Sequence, residues 1–250
     1  MTVPFFKSHY SIGKSILTLE EEGSSVKGGP QSIIDLCKEN KLEDLFLVDD
    51  SMSGFLQGYL NCEKADIKFR FGLRISVCED LNEKNEEQRK KTSKIIVFAK
   101  NKEGYKKLIK IYTEAAQKGF YYVPRTDYKS LKKHWSDKDL NMVVPFYDSF
   151  LHLNTLHGYM CMPDFSFCKP VYAVEQNDIP FNYLIEKRVE EYCKDDKCLN
   201  VKSIFYNKKE DFKAFLTFRC INNRSTLDKP NLDHMTSNEF CVENWNEINA

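Results

Sequence analysis

Short apolar runs alternate along this chain with stretches of helical periodicity. Residues 3–6, 45–48, 95–99 and 171–174 are each four or five residues of almost unbroken apolar character. Such runs are too short for a helix and too continuous for a half-exposed strand, so they read as strands covered on both faces. Residues 67–77 alternate instead, with Phe69, Phe71, Leu73, Ile75 and Val77 on one side. Residues 141–145 and 201–205 complete the set of strand candidates.

Between the strands lie helices. Ile33, Ile34, Leu36 and Cys37 give one apolar face through about Asn40, after a Gly28-Gly29-Pro30 break in which Pro30 suits a first helical turn. Residues 53–63, 181–192 and 208–220 are further candidates. The clearest helix is 101–118, whose stripe is Tyr105, Leu108, Ile109, Ile111, Tyr112 and Ala115, with Asn101 as N-cap and Gly119 as the stop. Residues 79–92 are densely charged and lack a core face, so a solvated loop or frayed helix is expected there. This alternation, with no linker in it, predicts one α/β domain over residues 1–250. Its sheet should be mostly parallel, open or closed into a barrel.

Charge narrows the function classes. The 37 basic and 37 acidic side chains cancel, which excludes a strongly basic nucleic-acid wrapper and an acidic tail protein. No run approaches the about 18–20 apolar residues that span a bilayer, and the N-terminus lacks a signal-peptide pattern. A cytoplasmic protein without a membrane partner is expected. Nine cysteines at irregular spacing, with no CxxC, predict buried thiols of a reducing compartment rather than disulfides or a zinc site. Gly13-Lys14-Ser15 lacks the upstream glycine of a phosphate-binding loop.

In an α/β fold of this kind a ligand site lies at the C-terminal ends of the strands. The candidates are Lys7 to His9, Asp49 and Asp50, Val77 to Asp80, Lys100, Phe146 to Asp148, and Phe205 to Asn207. Asp49 and Asp50 are two adjacent carboxylates at a strand end. They suit a divalent cation or an acid–base pair, or one of them caps the next helix.

Lys100-Asn-Lys-Glu-Gly-Tyr-Lys-Lys-Leu108, followed by Gly119-Phe-Tyr-Tyr-Val-Pro-Arg-Thr-Asp127, resembles the PHP (polymerase and histidinol phosphatase) domain of the bacterial DNA polymerase III alpha subunit. Phe6 to Leu17 stands where that family has its first His-x-His motif. Leu47-Val-Asp-Asp50 stands at its Leu-Thr-Asp-His, and residues 67–72 at its Gly-Ile-Lys-Pro-Ile-x-Gly strand. Thr226-Leu-Asp-Lys-Pro230 and Ser237-Asn-Glu-Phe240 resemble its late segments. The matches keep family order along nearly the whole chain. The resemblance implies a distorted seven-stranded (β/α) barrel, which in active members binds up to three metal ions and hydrolyses phosphoesters.

Carried over position by position, the metal site is degenerate. Lys7 stands at the first histidine, and His9 keeps the second. Asp49 matches the family aspartate, while Asp50 replaces a histidine. Arg74 stands at a glutamate, Lys94 (or Ser93) at a histidine, and Ser203 and Phe205 at an Asp-x-His. The expected cysteine falls near Phe146, with Asp148 close by. Fixed cations exclude metal ions, so Lys7, Arg74 and Lys94 imply ion pairs with Asp49, Asp50 or Asp148 in place of a cluster. At most one weakly held Zn²⁺ or Mn²⁺ on His9 and Asp50 is expected; the principal expectation is no cofactor.

The resulting expectation is a catalytically degenerate PHP domain of a family C replicative polymerase, either part of a longer chain or encoded alone, as in a phage. Its partners would be the polymerase core, other replisome proteins and DNA. The alternative is an active metal-dependent phosphoesterase or 3′–5′ proofreading exonuclease built on a set drawn from His9, Asp49, Asp50, Asp148 and His152. A third reading has the basic rim bind a phosphate, a DNA backbone or an acidic peptide.

Overall fold

The computed structural model describes residues 2–158, 162–193, 198–228 and 237–250. Its strands are β1 (Val3–Phe6), β2 (Asp44–Asp49), β3 (Lys68–Cys78), β4 (Ser93–Ala99), β5 (Arg125–Asp127), β6 (Leu140–Val144), β7 (Val171–Val174) and β8 (Cys198–Ile204). Its helices are α1 (Ile33–Glu39), α2 (Phe55–Lys64), α3 (Glu86–Lys90), α4 (Lys102–Gln117), α5 (Tyr128–His134), α6 (Phe150–Leu156), α7 (Asn182–Tyr192), α8 (Phe212–Asn223) and α9 (Val242–Asn249). The α/β class is the one expected. Cys161 and the end of the Thr226 to Pro230 segment lie outside the described residues. The chain forms two compact units: Met1–Phe71 with Glu175–Asn182 and Asn200–Ala250, and Gly72–Val174 with Tyr183–Leu199.

In the first unit β1 lies between β2 and β8 and runs parallel to both, with Phe5 opposite Phe46 on one side and Ser203 on the other. Phe6, Leu47 and Ile204 are fully buried along these strands. Helix α1 buries Ile33, Ile34, Leu36 and Cys37. Its cap is Ser32, whose hydroxyl accepts the Ile34 N–H at 3.1 Å. Pro30 therefore lies ahead of the helix and not in its first turn. The side-chain oxygen, which Pro cannot offer, sets where the helix starts. Helix α9, which sequence periodicity did not reveal, buries Val242 and Trp245, and the Trp245 indole donates to the Thr2 carbonyl at 2.8 Å.

The second unit orders its strands β7-β6-β4-β3-β5. Pairs β6–β7 and β3–β5 are parallel, but β4 is antiparallel to both β3 and β6. The described pairs are mostly parallel, as expected, and β4 is the exception. Residues 79–92 carry only the five-residue α3 and lack the long packed helix that usually makes a parallel crossover. The start of β4 consequently lies at the C-terminal end of β3, with Ser93 opposite Val77 and Lys94 opposite Ser76. Lys100, at the other end of β4, is removed from the candidate rim. Its N–H donates to the carbonyl of Asp139, just before β6, at 2.8 Å.

Segment 79–92 is more ordered than its charge implies. Asn85 caps α3 by accepting the Gln88 N–H at 2.8 Å, and the buried Gln88 amide donates to Glu79 and Glu83. Two glycines of the family-like segments answer to close approach. A Cβ on Gly104 would stand 2.2 Å from the Asp139 carbonyl oxygen, and one on Gly119 1.9 Å from that of Arg125. Arg125 is buried and returns its Nε–H to the Gly119 carbonyl at 3.1 Å. Among the described residues the cysteines depart from expectation at one place. Cys193 and Cys198 form a disulfide, because the end of α7 and the start of β8 bring their Cα atoms to 6.2 Å. Cys37, Cys62, Cys78, Cys168, Cys220 and Cys241 are buried thiols.

Candidate functional site

The first unit holds Lys7, His9, Asp49, Asp50, Ser203 and Phe205. Chain leaving β1 meets the end of β2 here. The Asp49 carboxylate is fully buried. Its Oδ1 accepts the Ser8 N–H at 2.9 Å and the Ser11 hydroxyl at 2.8 Å, and its Oδ2 accepts the Ser8 hydroxyl at 2.5 Å. Burial pushes its pKa up, against the pull of the Lys7 charge and the serine donors. Asp50 sits beside it, its N–H donating to Ser11 Oγ at 3.0 Å. Two ammonium groups face its Oδ2: Lys7 at 3.4 Å and Lys14 at 3.6 Å. Lys7 is buried. The His9 ring lies 4.4 Å from that of Tyr10, and its Nδ1 is buried with no hydrogen-bond partner among the described residues.

Ser203 and Phe205 belong to different surroundings in the same unit. Phe205 is a core residue stacked between Phe215 and Phe240 at centroid distances of 5.6 and 5.3 Å. Ser203 gives its N–H and its hydroxyl to Glu175, each at 2.8 Å. Glu175 is buried, and burial pushes its pKa up against the Ser203 donors and the Lys202 charge. Lys202, also buried, donates to Asn177 Oδ1 at 2.5 Å and to the Gln176 carbonyl at 3.2 Å; burial lowers its pKa.

The second unit holds Arg74, Lys94 and Asp148. Arg74 and Ser76 lie on the face of β3 opposite its apolar series, and Lys94 stands across from Ser76 in register. Arg74 Nη2 donates to Asp148 Oδ2 in a short ion pair. Lys94 Nζ donates to Ser76 Oγ at 2.7 Å, and its N–H donates to the Asp148 carbonyl at 2.8 Å. Asp148 adopts a left-handed backbone (φ 61°), and its N–H donates to His152 Nδ1 at 2.7 Å. That bond needs an unprotonated Nδ1, and burial lowers the His152 pKa, against the Asp148 charge.

Sequence reasoning included Ser8 in the Lys7 to His9 strand end without giving it a role, set Lys14 aside with the Gly13-Lys14-Ser15 triplet, and missed Ser11, Glu175 and Lys202. Glu175 had a usable signal, since it directly follows the 171–174 run and strand ends are where sites sit. The roles of Ser8, Ser11 and Lys14 become visible only as partners of the aspartates.

Neither set fits a multinuclear metal cluster. Asp49 spends its oxygens on three donors from Ser8 and Ser11, and Asp50 and Asp148 each face a cation supplied by the chain. Cations at these positions repel added metal. Among the described residues no group of three or more His, Cys, Asp or Glu side chains gathers to hold an ion. Among the described residues the buried His9 Nδ1, which has no hydrogen-bond partner, suits a metal ion.

Residues 24–164, more than half of the chain, match the family profile described as PHP domain. The sequence is similar to several proteins named DNA polymerase III subunit alpha. It is 33% identical to that of Helicobacter pylori (strain ATCC 700392 / 26695) over 98 residues, 39% of this chain and 8% of that protein. It is 30% identical to that of Borreliella burgdorferi over 105 residues, 41% of this chain and 9% of that protein. For Chlamydia trachomatis the figures are 30% over 99 residues, 38% and 8%. The match thus spans under a tenth of these relatives. Among the described residues no helix is long and apolar enough to cross a membrane.

Proposed function

The chain belongs to the PHP domain family and has its α/β fold, and from that premise we propose that it is a catalytically degenerate member. It serves a family C replicative DNA polymerase in a structural or interaction role, with the polymerase core and other replisome proteins as partners. The observation that carries this reading is the same substitution made in both units. A cation of the chain stands at a family ligand position and faces a carboxylate: Lys7 toward Asp50, which itself replaces a family histidine, and Arg74 toward Asp148. A built-in ammonium or guanidinium supplies positive charge where active members place metal, and the facing carboxylate offsets it, so the fold keeps its electrostatic balance without the ions. The relatives named DNA polymerase III subunit alpha support the replication context.

The test is elemental analysis of the purified chain after incubation with Mn²⁺ and Zn²⁺, beside a 3′–5′ exonuclease assay on single-stranded DNA. The expected result is one bound ion or none, and no hydrolysis. Two or three ions per chain would sink the proposal.

One observation favours a second reading, an active metal-dependent phosphoesterase. The buried His9 Nδ1 lacks a hydrogen-bond partner among the described residues, as a nitrogen reserved for a cation would. Metal-dependent hydrolysis that disappears in His9→Ala would establish that reading in place of the first.

A further inference from the structure

The described cysteines include two chemical classes. Burial pushes the Cys62 and Cys168 thiols up to about 12 and Cys78 up to about 11, and raises Cys37 and Cys241 as well. Thiolate is the reactive form, so these groups are inert at neutral pH. Cys193 and Cys198 are different. They are joined, Cys198 is exposed and Cys193 half-buried.

We propose that Cys193 and Cys198 form a reversible thiol–disulfide site whose exchange partner is a low-molecular-weight thiol of the glutathione class. Exposure admits the attacking thiolate, and exposed disulfides are the labile, regulatory kind. The surroundings also favour closing the bond again. Tyr192 packs on Phe150 and Tyr172, at centroid distances of 5.5 and 6.1 Å, and so pins the end of α7. The Cys193 N–H donates to the Val189 carbonyl at 2.8 Å. Cys198 is the first residue of β8. Packing at Tyr192 and the Cys193 N–H bond therefore hold the α7 end of the pair in place independently of the sulfurs.

The exchange balances. A glutathione thiolate attacks Cys198 Sγ, the S–S bond breaks, and Cys193 leaves as a thiolate that takes up a proton. A second thiolate then attacks the glutathione sulfur of the mixed disulfide and releases Cys198. Two glutathiones are oxidised to one glutathione disulfide, and the protein disulfide is reduced to two thiols. Opening removes the covalent tie between the end of α7 and β8, the strand that carries Lys202 and Ser203.

The test is alkylation of the folded chain with mass-spectrometric readout, after equilibration in glutathione disulfide and, separately, in millimolar glutathione. Cys193 and Cys198 should be unmodified in the first buffer and both alkylated in the second. Cys198→Ser should leave Cys193 alkylated in both buffers or carrying one glutathione in the oxidising one. A pair that resists millimolar glutathione would be a fixed structural cross-link, and a pair alkylated in both buffers would not be a disulfide. Either result overturns the proposal.

Discussion

The Ser8 hydroxyl donates to Asp49 Oδ2 at 2.5 Å while the Ser8 backbone N–H donates to Oδ1 of the same carboxylate at 2.9 Å. Ser8 thus binds both oxygens of a carboxylate that is fully removed from solvent. Ser8→Ala keeps the backbone donor and strips Oδ2 of its hydroxyl. A hydrogen bond to a charged group contributes about 1.5–3 kcal/mol, so a loss of that order is expected in urea unfolding, with an unchanged denaturant slope. A loss under about 0.5 kcal/mol would mean that Asp49 does not depend on this serine.

Gly104 makes a prediction opposite to helix propensity. It lies inside α4, where Gly→Ala ordinarily stabilises by about 1 kcal/mol. Here the added Cβ would fall 2.2 Å from the Asp139 carbonyl oxygen. Gly104→Ala should therefore destabilise, by roughly 1–3 kcal/mol as overpacking does. Thermal unfolding of the variant gives the sign directly, and a raised midpoint would show that the chain before β6 yields easily.

Gly104 and Gly119 also explain which parts of this molecule could be read beforehand. The family-like segments around them are packing devices. Each glycine admits a carbonyl where no side chain fits, and Arg125 locks back onto Gly119. Such constraints leave sharp traces in sequence, as do strands buried on both faces and the long stripe of α4. Helices α5, α6 and α9 bury too few apolar side chains to show a stripe (Leu131; Phe150 and Leu151; Val242 and Trp245), whereas α1, equally short, buries Ile33, Ile34, Leu36 and Cys37. The direction of β4 depended on how little helix fits into 79–92, which charge density concealed. At the site, the cations at Lys7 and Arg74 were legible as substitutions at ligand positions. Their partners were legible only as a set, Asp49, Asp50 or Asp148; that Lys7 meets Asp50, that Arg74 meets Asp148 and that Lys14 joins at Asp50 are matters of tertiary placement.

Arg74→Glu tests the internal pairing in the second unit. It places a carboxylate beside Asp148 in a position where the Arg74 side chain is 10% exposed and that of Asp148 46%. Exposed pairs contribute about 0.2–1 kcal/mol and breaking a buried one costs about 3–5, so this half-buried pair should cost about 2 kcal/mol on charge reversal. Arg74→Met should cost less, since Asp148 can still turn to water. Denaturant midpoints of the two variants at neutral pH separate the terms, and an unchanged midpoint for Arg74→Glu would sink the pairing idea.

Glu175 should leave a signature in the pH dependence of stability. Burial raises its folded pKa above the ordinary 4.5 despite the Ser203 and Lys202 contacts. The folded chain then holds this proton to higher pH than the unfolded chain does. For a raised carboxyl the contribution is complete below about 4.5 and is lost as pH rises through the folded value. Glu175→Gln removes the titration. Its amide also changes the hydrogen bonds to Ser203, but that offset does not vary with pH. The readout is therefore a slope: measured from pH 4 upward, the stability of Glu175→Gln relative to the unsubstituted chain should climb. A flat difference would mean that Glu175 ionises in the folded chain as readily as in the unfolded one, and a falling difference that Lys202 and Ser203 hold it charged. The same experiment on Lys202→Met decides between those two, because removing the ammonium raises the folded Glu175 pKa further and should extend the climb to higher pH.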